Sequence, residues 1–266
     1  MTDDILQFRK RIIELSNLSY NNSQYFFTDF MNEAELSELL NLAANAADRV
    51  MRGETVISQN FPSGLTVCGG HEEASRYIAE FGSEEAFAYK EDFPIAIIHI
   101  EPVSAKFAEA LTHRDFLGAI LNLGIDRKVT GDILTDGTEA YLIAEKKISS
   151  YILENLVRVK HVSVKSSLAD EIPERFKNRM EREEFQLSSE RIDALVAQFT
   201  KLSRSKTLEL FRSQKIFING RQEENPSTQL KVDDRISVRG FGKLIYLGTT
   251  RITKKGKYNI AIERYI

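Results

Sequence analysis

Apolar positions along the chain return every three or four residues in some stretches and alternate or run together in others. Ile5, Phe8, Ile12, Ile13 and Leu15 fall near a 3.6-residue period, and Leu36, Leu39, Leu40, Leu42, Ala43 and Ala47 repeat it over residues 33–51. Two core helices are therefore expected in the first 50 residues. Between them, Tyr25, Phe26, Phe27 and Phe30 follow the turn-forming Asn21, Asn22 and Ser23, an aromatic anchor expected to pack. Residues 55–59 and 65–68 read as short strands around a turn at Asn60, Pro62, Ser63 and Gly64. Gly69 and Gly70 close that hairpin, and residues 72–80 are expected to form a helix that turns Ala74, Tyr77 and Ile78 inward.

A second unit begins near Phe93. The apolar run 94–100 reads as a strand, followed by a helix with Phe107, Ala108 and Leu111 and a second helical piece over 114–121. Residues 131–134 and 140–144 are strand-like and joined through Asp136 and Gly137; 148–157 is helical and 161–165 alternates as a strand. The order β, α, β, β, α, β is that of a ferredoxin-like split unit, the topology also used by RNA-recognition motifs (RRMs). Those motifs stack bases on sheet aromatics, and here the strands offer only Tyr141, so an RRM-like middle domain is expected without base stacking on its sheet. Residues 170–184 hold ten charged side chains around Pro173 and read as a solvated linker.

Composition narrows the classes. The 266 residues are 42% hydrophobic and 28% charged, which excludes compositional disorder. No apolar run approaches the roughly 20 residues that span a bilayer. Asp3 and Asp4 open a chain without a basic-then-apolar leader, so a cytoplasmic protein is expected. Cys68 is the sole cysteine, and His71, His99, His113 and His161 lack metal-ligand spacing; neither a cofactor nor a bound metal is expected. Charge divides the chain: residues 1–185 hold 20 Lys/Arg against 31 Asp/Glu, net -11, while 186–266 hold 16 against 8, net +8. A compact domain with that excess gains affinity for a polyanion by counterion release.

The basic end carries a motif. Ile192, Leu195, Val196 and Phe199 form one helix face, and Ser203 stands at the N-cap of a second helix that projects Arg204, Lys206 and Arg212 above Leu208 and Phe211. Residues 215–218 alternate as a strand, Asn219-Gly220 makes a tight turn, and 235–238 is a further strand after Asp233-Asp234. This stretch, about residues 187–247, resembles an S4 RNA-binding domain. The family's R-L-D is matched by Arg191, Ile192 and Asp193; its S-R by Ser203 and Arg204; its G-K-V-x-V-N-G by Gln214 through Gly220; and its G-D-x-I by Asp233 through Ile236. Gln214 and Asp233 replace two glycines; the first replacement bears on the local turn geometry, because glycine permits positive φ there.

The resemblance implies that Arg191, Asp193, Ser203, Arg204, Ser205, Lys206, Arg212, Lys215, Asn219 and Arg221 contact structured RNA, with Arg239 and Lys243 farther along. Arginine can fork onto a phosphate and lysine act as a point charge, whereas Asp193 suits a partner that orients Arg191, and Asn219 suits turn chemistry. Beyond residue 247, Lys254, Lys255 and Lys257 surround Gly256 between alternating segments, and a hairpin with a basic tip is expected to extend the RNA surface.

The string from His113 to Arg127, H-R-D-F-L-G-A-I-L-N-L-G-I-D-R, then Gly131-Asp132-Ile133, together with Gly69-Gly70 and Glu73-Ala74, resembles the YlmH-type S4-domain proteins of Gram-positive bacteria and their relatives. That resemblance implies an α+β, multidomain chain: a helical and mixed N-terminal domain (1–90), an RRM-like βαββαβ middle domain (91–168), a charged linker (169–186) and an αL-type S4 domain with a basic hairpin (187–266). It further implies binding to the large ribosomal subunit through rRNA, contact with tRNA and a quality-control protein partner, and a part in alanine tailing of chains on stalled ribosomes. A cell-division link attaches to the same family. A monomer that binds no membrane is expected.

Sharper chemistry finds less support. His113-Arg114-Asp115 matches three letters of a kinase catalytic loop, but no Gly-rich phosphate loop, D-F-G or following Asn stands in register. Asp115 is expected to cap the helix of Phe116, Leu117 and Ile120, with His113, Arg114 and Arg127 as an accessory surface. The alternative class, an RNA-modifying enzyme, needs a pseudouridine synthase's catalytic-Asp strand-loop motif or a methyltransferase's Gly-rich turn in βαβ units, and neither is found. Cys68 lacks an identifiable base beyond nearby His71 and reads as inert. A non-enzyme is expected.

Overall fold

The computed structural model describes residues 3–72, 74–104, 110–176 and 180–265, divided into two compact units, Met1–Lys177 and Asn178–Ile266. Glu73, and Phe107 and Ala108 of the expected helix before residue 111, lie outside the described residues. Leu111 is buried in an irregular segment. No helix among the described residues is long and apolar enough to cross a membrane.

In the first unit, α1 (Asp3–Asn22) packs Ile12 and Leu15 against Leu36, Leu39 and Leu40 of α2 (Glu33–Ala43). Asn32 starts α2 with a capping box: its Oδ1 accepts from the backbone of Ala34 and Glu35, and the Glu35 carboxylate accepts from Asn32 N. The short α3 (Ala47–Met51) follows. A three-stranded antiparallel sheet places β3 (Ile78–Phe81) between β1 (Phe26–Phe27) and β2 (Leu65–Cys68). The expected strand at 55–59 shrinks to one bridge, Val56 to Leu65. The expected helix at 72–80 is a correction. Its end is the central strand β3, with all four residues buried, so no in-out alternation marks it in the sequence. A single-turn helix, α4 (Glu84–Phe87), follows.

Glu80 is the polar exception within β3. It is 7% exposed, its Oε2 has no hydrogen-bond partner, and burial pushes its pKa up to about 7. A carboxyl raised in the folded state stabilises that state below its unfolded pKa and loses the contribution as pH rises through the folded value. Between pH 5.5 and 8 the wild type is therefore expected to lose about 2 kcal/mol relative to Glu80→Gln. Chemical denaturation of both proteins at the two pH values measures the difference, and parallel pH profiles count against it.

The second half of this unit is the expected β, α, β, β, α, β run: β4 (Ile95–Pro102), α5 (His113–Asn122), β5 (Thr130–Thr135), β6 (Ala140–Glu145), α6 (Lys146–Asn155) and, after the two-residue β7 (Arg158–Val159), β8 (Val162–Ala169). The antiparallel sheet has the order β5-β6-β4-β8-β7. Ile98, Ile100, Leu142 and Val164 face Phe116 and Ile120 of α5 and Ile152 of α6. The opposite face carries Leu134, Tyr141 and Ile143, which pack with Phe30 and Ile78 from the N-terminal region and with Ile172 and Phe176 beyond β8. The segments read as separate domains at 1–90 and 91–168 thus share a core within one unit.

The second unit begins with another correction. Part of the charged stretch read as a linker over 169–186 is a strand, β9 (Met180–Leu187), paired along its whole length with β14 (Tyr258–Tyr265). It is a sheet edge, where exposed charge on Glu181, Arg182 and Glu184 protects against further pairing. Then come α7 (Ile192–Thr200), α8 (Arg204–Arg212), β10 (Ile216–Ile218), β11 (Arg221–Gln222), β12 (Asp234–Val238), β13 (Gly242–Ile252) and β14. The sheet order is β11-β10-β12-β13-β14-β9. Leu195, Val196, Phe211, Ile236, Leu244 and Ile260 meet in one core. Gln214 and Asp233, which replace glycines of the S4 motif, keep positive φ at 56° and 69°. The left-handed turns persist at the steric cost that a Cβ imposes there.

Candidate nucleic-acid interface

The α8 helix is amphipathic because its apolar and basic residues are out of phase. Thr207, Leu210 and Phe211 are buried, while Arg204, Ser205, Lys206 and Arg212 are exposed. Ser203 occupies the N-cap, although its hydroxyl meets Ser205 Oγ at 3.1 Å and caps no backbone N–H. Lys215 is exposed in the turn that follows. A shallow cavity of about 510 Å3 lies beside the helix, lined by Leu208, Phe211, Arg212, Gln214, Glu224 and Pro226. Among the described residues, Arg204, Lys206, Arg212 and Lys215 have no carboxylate partner, so their charge is available to a ligand.

Other predicted residues divide by environment. Arg191 precedes α7 and forks onto Asp193, Nε to Oδ1 at 3.1 Å and Nη2 to Oδ2 at 2.8 Å. Asp193 is thus the orienting partner of Arg191. Asn219 (φ 51°) and Gly220 (φ 77°) form a turn with both residues left-handed, and the Asn219 amide donates to Asp234 Oδ1 while accepting from Arg235 N. Arg221 is half-buried on β11, Lys243 half-buried on β13, and the Arg239 guanidinium lies 5.3 Å from the centre of the Phe217 ring. Lys254, Lys255 and Lys257 are exposed at the β13–β14 turn, closed by Thr253 N to Lys257 O at 2.8 Å. Glu190 is held away from this chemistry: it accepts from Thr249 Oγ1 and Tyr246 Oη, which lowers its own pKa, and burial with this bond lifts Tyr246 to about 12.

In the first unit the sheet face that RNA-recognition motifs use is closed. Tyr141 is 7% exposed, stacked on His99 with ring centres 4.6 Å apart and tilted against Phe176 at 4.7 Å. His99, Glu101 and Glu139 bring three potential metal ligands within 4.8 Å of one another, but Arg175 is paired with Glu139 and Lys165 with Glu101. Those cations already neutralise the carboxylates.

The three accessory residues separate. Arg127 is a clamp within the unit: its Nη1 donates to Thr130 O and Oγ1 and to Gly131 O at 2.6 to 2.7 Å. Arg76 lies beside it and donates to Thr130 O, Phe30 O and Arg127 O, while Asp132 Oδ2 accepts from Ser75 N and lies 3.1 Å from His71 Nε2. Burial, with Arg76 adjacent, lowers the Arg127 pKa to about 10. Burial and Arg127 also hold His113 below its ordinary value. Asp115 closes the expected cap of α5, its carboxylate accepting from Thr112 N and Oγ1. Of the three, Arg114 is an exposed cation with no ion pair among the described residues. Arg158 and Lys160 are exposed after α6, and an R-V-K spacing at the end of a helical period is the only mark they leave in the sequence.

Residues 89–171, which span the five-stranded sheet and its helices, match the family model described as "Putative RNA-binding domain in YlmH". The chain is 29% identical over 205 residues to the "Ribosome-associated protein quality control protein P2" of Bacillus subtilis (strain 168), covering 76% of this chain and 78% of the relative. It also aligns with the solved structure of the "Cell division protein ylmH from Streptococcus pneumoniae" over 64% of this chain and 93% of that one, at 21% identity and a TM-score of 0.44.

Proposed function

We propose, from the premise that this chain belongs to the YlmH family, that it is a cytoplasmic, non-enzymatic RNA-binding factor that docks on the large ribosomal subunit. The observation that carries the reading is the set of unpaired cations on α8 and the following turn, Arg204, Lys206, Arg212 and Lys215, with three more lysines at the hairpin tip. Two helices followed by a small sheet, with the motif's left-handed turns kept, support reading this unit as an S4 domain. The β5-β6-β4-β8 order supports an RRM-like middle domain. The relative's name supports a role in ribosome-associated quality control, and the family resemblance extends this to peptidyl-tRNA, a quality-control partner and alanine tailing.

Counterion release makes such docking salt-sensitive. Wild type is expected to co-sediment with isolated large subunits. Arg204→Ala/Lys206→Ala is expected to bind about tenfold more weakly, with a salt slope shallower by about 2, as for two lost phosphate contacts. Equal binding by a folded double variant across the salt series would exclude α8 as the docking element, and absence of wild-type binding would exclude the ribosome.

A further inference from the structure

With the sheet face of the middle domain closed by Tyr141, Phe176 and Phe30, any RNA contact made by this domain falls on another surface. The helical side offers one. A groove of about 500 Å3 runs between α5 and the segment from the end of α6 through β7. Arg114 stands on one wall, and Arg158 and Lys160 on the other. All three are exposed, and no carboxylate pairs with them among the described residues. The one acid in the lining, Asp115, is engaged by Thr112 in the helix cap, and those hydrogen bonds together with the nearby Lys160 charge hold its pKa below the ordinary carboxylate value; Lys160 forms no ion pair with it.

The floor is made of small residues. Gly118 and Ala119 line the groove one turn before Asn122, and a Cβ added at Gly118 would meet nothing within 4 Å. Glycine in a helix interior costs about 1 kcal/mol relative to alanine. No packing contact offsets that cost here, and the small residue keeps the floor open. Val157, 64% exposed, adds an apolar wall. Amides stand at the groove: among the described residues the Asn122 side chain has no hydrogen bond, and Asn155 spends only Nδ2, on Tyr151 O.

We propose that this groove holds an unstacked nucleotide of single-stranded RNA, its phosphates on Arg114, Arg158 and Lys160 and its base on the Gly118 floor within reach of the two amides. Single-stranded sites combine a basic track with faces on which bases stack, most often aromatic; here no aromatic among the described residues lines the groove, and the open floor of Gly118 and Ala119, with Leu123 and Val157, takes that place in a volume suited to one small ligand. The charge complementarity favours a polyanion, and the apolar floor with amide edges favours a base over a simple anion. The proposal rests on the reading of the chain as an RNA-binding factor and specifies where the middle domain takes part.

The test uses the full chain and a fluorescein-labelled 12-nucleotide polyuridine RNA, read by anisotropy across a salt series, with 4-thiouridine crosslinking to locate contacts. Arg158→Glu/Lys160→Glu is expected to weaken binding at least tenfold and flatten the salt slope by about 2. Gly118→Trp, which fills the groove without changing charge, is expected to weaken it about fivefold. Crosslinks are expected in residues 114–123 and 155–160. If Gly118→Trp binds normally and crosslinks map elsewhere, the groove is overturned, even where the charge reversal has an effect. If both groove variants bind normally while Arg204→Ala/Lys206→Ala does not, the groove fails and the RNA-binding reading stands. Failure of the wild type to bind any RNA removes both, and equal competition by a 12-residue polyglutamate peptide overturns the groove in favour of an acidic protein segment.

Discussion

Arg127→Ala is expected to lower the stability of the first unit by about 3 kcal/mol, seen in calorimetry as a fall of about 8 °C in that unit's transition. One guanidinium nitrogen satisfies the carbonyls of Thr130 and Gly131 and the Thr130 hydroxyl, and both residues are buried. Thr130 O keeps its bond from Arg76 Nε, so the main loss is at Gly131 O and Thr130 Oγ1. Burying a guanidinium beside Arg76 opposes this, as the lowered Arg127 pKa records, which holds the expected effect at the lower end of the roughly 3 to 5 kcal/mol typical of breaking a buried charge pair. Arg127→Lys should retain the charge and recover only part of the loss, because a point ammonium cannot reproduce the fork. A shift under 2 °C for the alanine variant would mean that water replaces the arginine, and the clamp would then not be structural.

This expectation reverses the sense in which the motif was read. The string from His113 to Arg127 was legible as a family mark and as a capped helix, and Asp115 occupies the expected position in the Thr112 cap. Its last residue looked like a surface cation because nothing in the sequence shows that residues near 30, 71–76 and 127–132 converge. Contacts at such separations leave no periodicity. The order of strands and helices in the middle domain was legible because Gly and Asp turns punctuate alternating segments. Two strands were hidden for opposite reasons. In β3 all four residues are buried, so the two-residue period vanishes, whereas in β9 four consecutive charged residues, Glu181 to Glu184, separate Met180 from Phe185 and Leu187 and break the alternation. The exposed basic face of α8 was the most legible feature, since its cations lie close together on a single helix. The groove was the least, because its walls come from two helices and a two-residue strand.

Gly69→Ala carries the other large effect, and it tests the same convergence from the opposite side. A Cβ at Gly69 would lie 2.1 Å from Ala74 Cβ and 2.7 Å from Arg76 O. Arg76 is the residue whose guanidinium reaches Thr130, Phe30 and Arg127, so moving its backbone displaces the clamp as well as the turn. Overpacking of this kind costs about 1 to 3 kcal/mol, and the loss of clamp geometry adds to it, so a fall of about 4 kcal/mol is expected. Gly70 needs glycine for a different reason: its φ of 83° disfavours any side chain, and a Cβ there would reach Ile143 Cγ2 at 2.9 Å. The two causes can be separated. Gly69→Ala/Ala74→Gly removes the Cβ–Cβ collision but leaves the one with Arg76 O, so it should recover part of the stability, and its non-additivity measures the contact directly. Gly70→Ala should not respond to the same second change. If Ala74→Gly rescued neither variant, the collision with Arg76 O alone would fix Gly69 and the positive φ would fix Gly70, and the contact with Ala74 would carry no cost of its own.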